Sequence, residues 1–553
     1  MTFRVILLCG GASLAICPPA FGADNAAFMA RLAAMPRMVS PSQAPEMPSA
    51  PVAVPVSNPS AKNAATPVKA RVRTARAEAV SVPSPAAPAS DLERKVAEQQ
   101  AQIALLTAKF DAMAKPETTA AKPEKADSPS WTMANGRPVI ASADGRFTLA
   151  LRAIGQFDTA YYAQGARAGA LAAANGPDLS SGQNFRRVQL GIQGKAFGDW
   201  SYQFNYDFGG SSGTESPGRI QAAYVEYDGL APFAMRIGAF PASAGLEDNT
   251  SAADTMFLER NAPAELARNI AGGDGRDGIG VIYASDRVYG AVTYTGNKIA
   301  DAGSFDEQQA VLGRLSGVAY NSDTAKVVVS ANSTYVFKVA DTTAGPNAPR
   351  TMTFAAAPEL TVDNTGAKLV STGALNAEQV LQWGLETGGQ WKNFYGQAGY
   401  FGFDVAGRGG AANAAFGGWY TQASWVLTGE SRVYNSASGA FGNPKPAAPF
   451  AFDGVNWGAL EIAARYSDLD LNDRAGVIGS PMPAGGIRGG DQRIVTFGLN
   501  WYPNSEIRFA LQAQNTQISR IGTIPAGAGH GAIANAQVGQ SFNTLALRSQ
   551  IAF

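Results

Sequence analysis

Apolar and polar residues alternate with a period of two along most of the chain, from residue 131 to residue 553. Leu149 and Leu151, for example, share one side of an extended segment, and Arg152 lies on the other side. The same alternation recurs in the segments 187–195, 202–208, 419–427, 460–466 and 495–501. Side chains of a β-strand point alternately to the two faces of its sheet, and Gly, Asn, Asp and Pro separate the segments. The pattern predicts an all-β domain of antiparallel strands.

The apolar sides of many predicted strands finish on Tyr, Trp or Phe. In the last strand, Leu547, Ile551 and Phe553 share one side, whereas Arg548 and Gln550 share the other. Aromatic residues gather at the two interfaces of a membrane, and strands with one apolar and one polar side are typical of membrane barrels. A final alternating strand that closes on Phe resembles the recognition signal of bacterial outer-membrane barrels. The pattern therefore predicts a transmembrane β-barrel.

The predicted barrel domain, residues 131–553, has room for about 16 antiparallel strands at roughly 26 residues per strand and connection. Barrels of that size leave an aqueous channel. The chain has a mean hydropathy of −0.08 and a formal net charge of +0 at pH 7. A barrel can have such values, because the polar residues of its inner face offset the hydropathy of its apolar outer face.

An arginine followed by an apolar run, residues 4–16, and small residues for cleavage after Gly22 or Ala23 predict a secretory signal peptide at residues 1–23. Both cysteines, Cys9 and Cys17, lie inside it. We therefore expect neither disulfides nor cysteine–metal chemistry in the mature chain. An alternative is a lipoprotein acylated on Cys17, although the residue before it is bulkier than such a site prefers.

Two further regions precede the barrel. Residues 24–90 are rich in Ala and Pro and predict a disordered linker, whose basic residues would suit a contact with the cell wall. Residues 91–115 predict a short coiled-coil helix, and a lone amphipathic helix is the alternative. The apolar seam of this helix, spaced by four and three residues and interrupted by one glutamine, consists of Leu92, Val96, Gln99, Ile103, Leu106, Phe110 and Met113.

Several blocks of the barrel domain carry a resemblance to a known family. They are residues 185–208 (FRRVQLGIQGKAFGDWSYQFNYDF), 238–241, 245–247, 257–260, 427–434, 458–467 and 498–504. In this order they resemble the phosphate-selective porin O and porin P family. The resemblance implies a 16-stranded, homotrimeric porin of the Gram-negative outer membrane, with a long loop folded into the pore.

Strand parity turns a set of basic side chains away from lipid: Arg152, Arg187, Lys195, Arg236, Arg314, Arg465, Arg508 and Arg548. A guanidinium is always charged and presents fixed donors that suit oxyanions, so these residues predict a pore lining that attracts anions. The alternative is that arginine–carboxylate pairs only stiffen the wall, since Asp158, Asp207 and Glu461 share the same side.

The resemblance adds Arg186, next to Arg187, as a pair of basic residues near the constriction. It also implies that residues 240–260 form the inward loop, with Glu247 and Arg260 as constriction charges. Phosphate-selective members of the family carry lysine around this loop, whereas residues 238–247 contain none. We therefore expect a general or mildly anion-preferring pore.

The sequence offers little for catalysis. The single histidine, His530, lies in the glycine-rich stretch 527–531, which is typical of a loop. Residues 272–275, Gly-Gly-Asp-Gly, are typical of a tight turn rather than a calcium site. We expect no enzyme activity, no metal, no cofactor and no nucleic-acid partner.

The functional hypothesis is passive diffusion of small hydrophilic solutes across an outer membrane of lipid and lipopolysaccharide, with small inorganic or organic anions, phosphate among them, preferred. The N-terminal arm would lie in the periplasm. A structural protein that tethers envelope layers, with the barrel as its anchor and the coiled coil as a periplasmic arm, is the alternative. A specific pore for an oligosaccharide or other organic solute would need an aromatic track, which the parity of the aromatic residues favours little.

Overall fold

The computed structural model describes residues 98–105, 129–134, 136–165, 178–210, 218–299, 305–452, 454–526 and 530–553. The chain divides into two compact units, Met1–Glu124 and Lys125–Phe553. In the first unit, residues 98–105 are helical and exposed. The predicted signal peptide, linker and remainder of the coiled-coil helix lie outside the described residues. Among the described residues, no helix is both long and apolar enough to cross a membrane.

The second unit is a closed barrel of 16 antiparallel strands. The wall strands, in chain order, are β3 (Thr148–Ala163), β4 (Gly182–Ala196), β5 (Trp200–Asp207), β6 (Arg219–Leu230), β7 (Phe233–Ala239), β8 (Arg276–Ala284), β9 (Val288–Lys298), β10 (Gln309–Asn321), β11 (Ala325–Lys338), β13 (Val370–Trp391), β14 (Phe394–Gly407), β15 (Ala414–Val426), β18 (Ala459–Asp473), β19 (Ile487–Tyr502), β20 (Ile507–Ser519) and β23 (Ser541–Ala552). The strands outside the wall are β1 (Ser130–Ala134), β2 (Arg137–Ala141), β12 (Thr351–Ala356), β16 (Arg432–Asn435), β17 (Ala440–Pro444), β21 (Ile521–Ile524) and β22 (Ile533–Gln537).

The last wall strand closes the barrel on the first. β23 pairs antiparallel with β3, so that Arg548 lies opposite Asp158. The terminal Phe553 takes part, because its backbone N–H donates to the carbonyl of Ala153 at 3.0 Å and its carbonyl accepts from the N–H of Ala153 at 3.1 Å. Closure leaves no unpaired edge in the wall, as a strand-built membrane protein requires. The predicted fold class is confirmed.

The two faces of the wall differ as the alternation predicts. Outward-facing Phe497 and Leu547 are 61% and 46% exposed, whereas inward-facing Thr496 is buried. Some outward aromatic rings stack near the end of the barrel that carries Phe553; Phe394 and Trp425, for example, lie with ring centroids 5.4 Å apart. This exposed apolar face is the surface that meets lipid.

Short turns and long connections separate the two ends of the barrel. Short turns join β4 to β5, β6 to β7, β8 to β9, β10 to β11, β13 to β14 and β19 to β20, at the end where Phe553 lies. In outer-membrane barrels the short turns face the periplasm. The connection from β15 to β18, residues 427–458, is the long one at this end, and it contains the hairpin of β16 and β17.

The connection from β7 to β8, residues 240–275, folds into the barrel, and we refer to it as the inward loop. It contains a helix, Ala262–Ala271, which begins after Asn261. The side chain of Asn261 accepts a hydrogen bond from the N–H of Ala264 at 2.9 Å, and Pro263 occupies the first turn, where its missing N–H costs nothing. Local sequence therefore fixes where this helix starts.

The inward loop is fastened to the wall through its backbone carbonyl groups. Arg508 donates to the carbonyls of Thr255 at 2.5 Å and Met256 at 2.9 Å. Arg548 donates to Leu258 at 2.6 Å in the same way. Further donors to loop carbonyls are Gln156 to Ala252, Gln550 to Ala253, Asn500 to Met256 and Arg465 to Glu259. An irregular segment away from water needs such partners, because a buried unpaired carbonyl is costly.

The hairpin of β16 and β17 holds the same loop from the periplasmic side. Asn443 donates to the carbonyl of Ala253 at 2.9 Å, and Asn249 of the loop donates to Ser438 of the hairpin at 2.8 Å. Arg314 donates to the carbonyl of Ser438 at 2.9 Å. Arg432 anchors the hairpin through a buried ion pair with the wall residue Glu461 at 2.7 Å. Loop and hairpin together occupy the lumen beside the later wall strands.

The replacement Arg508→Met tests this fastening. Methionine keeps much of the side-chain length but removes the donors to Thr255 and Met256. The Met256 carbonyl keeps Asn500 as a donor, whereas the Thr255 carbonyl loses its Arg508 partner at a cost of about 1–3 kcal/mol. We expect a lower unfolding temperature and faster cleavage of the inward loop in limited proteolysis. Arg493→Met is the matched control, because Arg493 lies on the outer face and pairs with Asp491. Equal cleavage rates in both variants would contradict the assignment.

Candidate functional site

Two cavities remain between the inward loop and the first wall strands. The outer cavity, of about 630 Å3, lies toward the long connections and is bordered by Arg219, Arg276 and Lys298 at the ends of β6, β8 and β9. The inner cavity, of about 240 Å3, lies toward the periplasmic turns and is bordered by Arg152 and Arg236. They are the candidate route for solutes.

Three side chains line both cavities, namely Arg260, Arg268 and Asp274. We refer to these three residues as the neck, since the outer and inner cavities meet there. Arg268 Nε lies 2.6 Å from Asp248 Oδ1, and Arg268 also donates to Asp274. Arg219 Nη2 approaches Asp274 Oδ2 to 3.9 Å from the wall. The neck is therefore a cluster of opposite charges held by the loop and the wall together.

The glycine-rich turn after the loop helix determines the position of Asp274. Gly273 and Gly275 on either side of it have φ values of 88° and 65°, which favour glycine. A Cβ on Gly275 would also lie 2.7 Å from the carbonyl oxygen of Ile220. The turn lets the chain leave the helix and enter β8 directly, with Asp274 at the neck.

A β-bulge places two consecutive arginines on the same side of the wall. The pairing of β4 with β3 shifts between Arg187, opposite Gln156, and Phe185, opposite Phe157. The extra residue, Arg186, breaks the alternation, and both arginines turn inward. Arg186 lines the outer cavity and Arg187 lines the inner one.

Glu259 holds this arginine pair. Its carboxylate accepts from Arg186 at 2.6 and 3.1 Å and from Arg548 at 3.2 Å, and Arg187 Nη2 lies 3.9 Å away. Burial alone would raise the pKa of Glu259, but the three guanidinium groups outweigh it and hold the pKa below its ordinary range. For Asp274, burial is likewise outweighed by Arg268 and then Arg219, and its pKa is lowered. Both groups are therefore carboxylates at neutral pH.

Arg260 has the weakest internal contacts in the neck. It donates to the carbonyls of Glu247 and Thr250 at 3.4 Å and to that of Asp248 at 3.5 Å, and Glu265 lies 3.9 Å away. Arg268, by comparison, has an ion pair at 2.6 Å. Long hydrogen bonds are weak ones, so the guanidinium of Arg260 is the neck cation most able to exchange partners with a solute.

Among the side chains predicted from parity and resemblance, those that line a cavity are Arg152, Arg186, Arg187, Arg236 and Arg260. Lys195 lies near the periplasmic turns, where its Nζ is 3.3 Å from Asp228. Glu247 belongs to the inward loop and is buried, and its carboxylate accepts a hydrogen bond from the N–H of Asn261 at 3.1 Å. Burial raises the pKa of Glu247.

Four of the arginines that parity assigns to the pore lining do not border either of these two cavities. They are Arg314, Arg465, Arg508 and Arg548, each at most 3% exposed. All four face away from lipid as parity predicts, but the inward loop and the hairpin cover that part of the wall. Their charges are engaged in holding those segments, for example Arg465 by Glu359 at 2.6 Å.

Sequence reasoning missed most of the neck and the outer cavity. Arg268 belongs to a helix that the alternation does not predict, and the residues around Asp274 predict only a turn. Arg219 and Arg276 stand at strand ends, where parity is hardest to assign. The one available signal was position, because Arg268 and Asp274 belong to the same connection as Arg260.

No group of three His, Cys, Asp or Glu side chains is placed to hold a metal ion in the part of the chain that the structure describes. His530 is exposed and lies next to the carbonyl of Gly531, at 2.9 Å. Charge instead dominates the two cavities. The outer cavity is lined by seven basic and four acidic side chains, and the inner one by five basic and two acidic.

Comparison with known proteins finds relatives by sequence and similar solved structures. Porin O of Pseudomonas aeruginosa is 27% identical over 336 residues, which cover 59% of this chain and 74% of that protein. Among solved structures, OmpT, an outer membrane protein of Vibrio cholerae, has a TM-score of 0.42 and 8% identity over 74% of this chain and 99% of its own. The anion-selective porin from Comamonas acidovorans has a TM-score of 0.40 and 11% identity over 74% of this chain and all (100%) of its own.

A family model settles the assignment that the sequence blocks implied. The model of the phosphate-selective porin O and P family matches residues 167–539. This range includes the inward loop and all residues from β4 onward that line the two cavities. The chain therefore belongs to the phosphate-selective porin O and porin P family, and it is an outer-membrane porin of Gram-negative bacteria.

Proposed function

We propose that this porin is a passive channel that prefers anions, and that solutes pass from the outer cavity through the neck into the inner cavity. The observation that carries the proposal is the excess of basic over acidic side chains in both cavities, with Arg260 loosely held between them. A wall with this excess lowers the electrostatic cost of moving an anion out of bulk water and raises that of a cation.

The carboxylates at the neck moderate the attraction. Glu259 and Asp274 neutralise part of the charge of Arg186, Arg219 and Arg268. An entering anion is therefore attracted by the net positive charge but is not bound as tightly as uncompensated arginines would bind it. A conducting site must attract its ion yet release it, and partial compensation serves the second requirement. In this proposal a solute crosses by diffusion, and its size and charge determine how fast it crosses. No chemical step takes part.

Phosphate is one of the anions that we propose for this route, without exclusive selectivity. The cations of the neck are arginines, whose planar forks bind oxyanions through two donors, and lysine is missing from residues 238–247. Chloride, phosphate and small carboxylates would then share one path. Their relative passage would depend on how they replace the contacts of Arg260.

We also infer that three copies associate, with residues 91–115 as a periplasmic coiled coil. The helical stretch 98–105 supports this, since its seam residue Ile103 is 62% exposed. An apolar seam residue at that exposure favours a helical partner. A trimer would bring three such helices within reach of one another.

The replacement Arg260→Gln tests the proposed route. Loss of the neck charge should lower the anion-to-cation permeability ratio several-fold, because the two cavities meet at this residue. The measurement is the reversal potential of the purified protein in a planar bilayer under a KCl gradient, repeated with phosphate added. Arg493→Gln, on the outer face, is the matched control and should leave the ratio unchanged. A cation-selective wild-type channel would overturn the proposal.

Deletion of residues 91–115 tests the proposed association. We expect the trimer to dissociate at a lower temperature in detergent, as judged by cross-linking and light scattering, because the helical seam is lost. Single-channel conductance should be unchanged, since both cavities are lined by residues of the second unit. Unaltered trimer stability would remove the role assigned to the helix.

A further inference from the structure

The outer cavity is lined by two chemically different surfaces that come from different elements. Its wall side carries the basic residues Arg186, Arg219, Arg276 and Lys298, on strands β4, β6, β8 and β9. The opposite elements, the loop helix and the segment 352–360, supply the apolar lining. The neck arginines and Lys368 add charge at the borders of this second surface.

The apolar surface is built on the main hydrophobic cluster. Leu266 and Ile270 lie one turn apart on the loop helix and are mostly buried, and Phe354 of β12 packs in the same cluster. Met352 packs against this cluster while remaining half-buried, and the adjoining segment brings Ala355 to the cavity. These apolar side chains form a packed support behind Met352, and Glu265, Asn269 and Glu359 lie among them in the cavity lining.

The basic surface keeps its charge close to the cavity. Arg276 donates to the carbonyl oxygens of Gly272 at 3.1 Å and Gly296 at 2.9 Å, which orient the guanidinium. Arg219 Nη2 lies 3.9 Å from Asp274 Oδ2. Both arginines border the outer cavity, so a carboxylate held there lies next to them.

We propose that the outer cavity is a capture site for amphipathic organic anions, that is, carboxylates that carry a short apolar body. The charged end would meet Arg219 and Arg276, and the apolar body would cover Met352 and its neighbours. A volume of about 630 Å3 suits an organic solute of this kind, whereas a bare inorganic anion would leave the apolar surface wet. This inference rests on the proposed anion preference and narrows it to a class of solute.

The inner cavity favours release of such a solute. It is smaller, at about 240 Å3, and side chains with amide and hydroxyl groups contribute to its lining, among them Gln203, Gln221, Ser243 and Ser251. Ile154 and Ile282 line it beside these polar groups, and Arg152 and Arg236 receive the carboxylate. The smaller volume leaves less room for an apolar body than the outer cavity does, so the solute is held more loosely on the inner side.

The test is block of the chloride current through the full-length channel by acetate, butyrate and hexanoate. The concentration for half-block should fall by about tenfold or more from acetate to hexanoate, since a fully buried CH₂ strengthens binding by up to about fourfold. n-Hexylammonium, with an apolar body and the opposite charge, should block poorly. A bilayer without the porin provides the control for effects of hexanoate on lipid.

The variant Met352→Gln keeps the side-chain length and makes the apolar surface polar, so it should flatten the dependence on chain length. Met482→Gln is the matched control, because Met482 lies in the connection from β18 to β19, outside both cavities. Equal block by acetate and hexanoate in an anion-selective wild-type channel would overturn the capture site and leave the proposed function standing. Full chain-length dependence in Met352→Gln would also overturn it. A cation-selective reversal potential would remove the proposed function itself.

Discussion

Hydrogen bonds from arginine side chains of the wall to backbone carbonyls of the inward loop are the interaction on which the pore depends. The loop from Ala252 to Glu259 is irregular, and inside a barrel it has neither a neighbouring strand nor bulk water to satisfy its carbonyl groups. Arg508 and Arg548 reach it from two adjacent wall strands and supply short, charge-assisted bonds. Without them the loop would leave unpaired carbonyls in a buried place, and the neck would lose its support.

This fastening makes the lumen asymmetric. Basic residues of the later strands bind the loop and the hairpin of β16 and β17, whereas basic residues of the earlier strands border the two cavities. The same residue type thus has two roles, and location decides which. Arg465, enclosed between Glu359 and the loop, holds the loop in place. Arg260, with contacts no shorter than 3.4 Å, places a charge where the two cavities meet.

Much of the architecture could be predicted from the sequence, because alternation over long strands is a strong and local signal. The barrel, its approximate number of strands and the role of the final strand follow from it. The site could be predicted only in part, since parity reports the side of a strand and not what covers that side. Arg508 and Arg236 have the same parity relative to lipid, yet one lies under the loop and the other in a cavity. Arg186 faces inward only because of a bulge, which a single sequence does not reveal.

The first and the last wall strands each supply a donor to the inward loop. Gln156, which binds the carbonyl of Ala252, belongs to the first wall strand, and Arg548, which binds Leu258, belongs to the final one. These two donors come side by side only when β3 and β23 pair. A barrel open at that seam would lack this pair of neighbouring donors. Pairing of β3 with β23 therefore both closes the wall and brings together two of the contacts that position the inward loop.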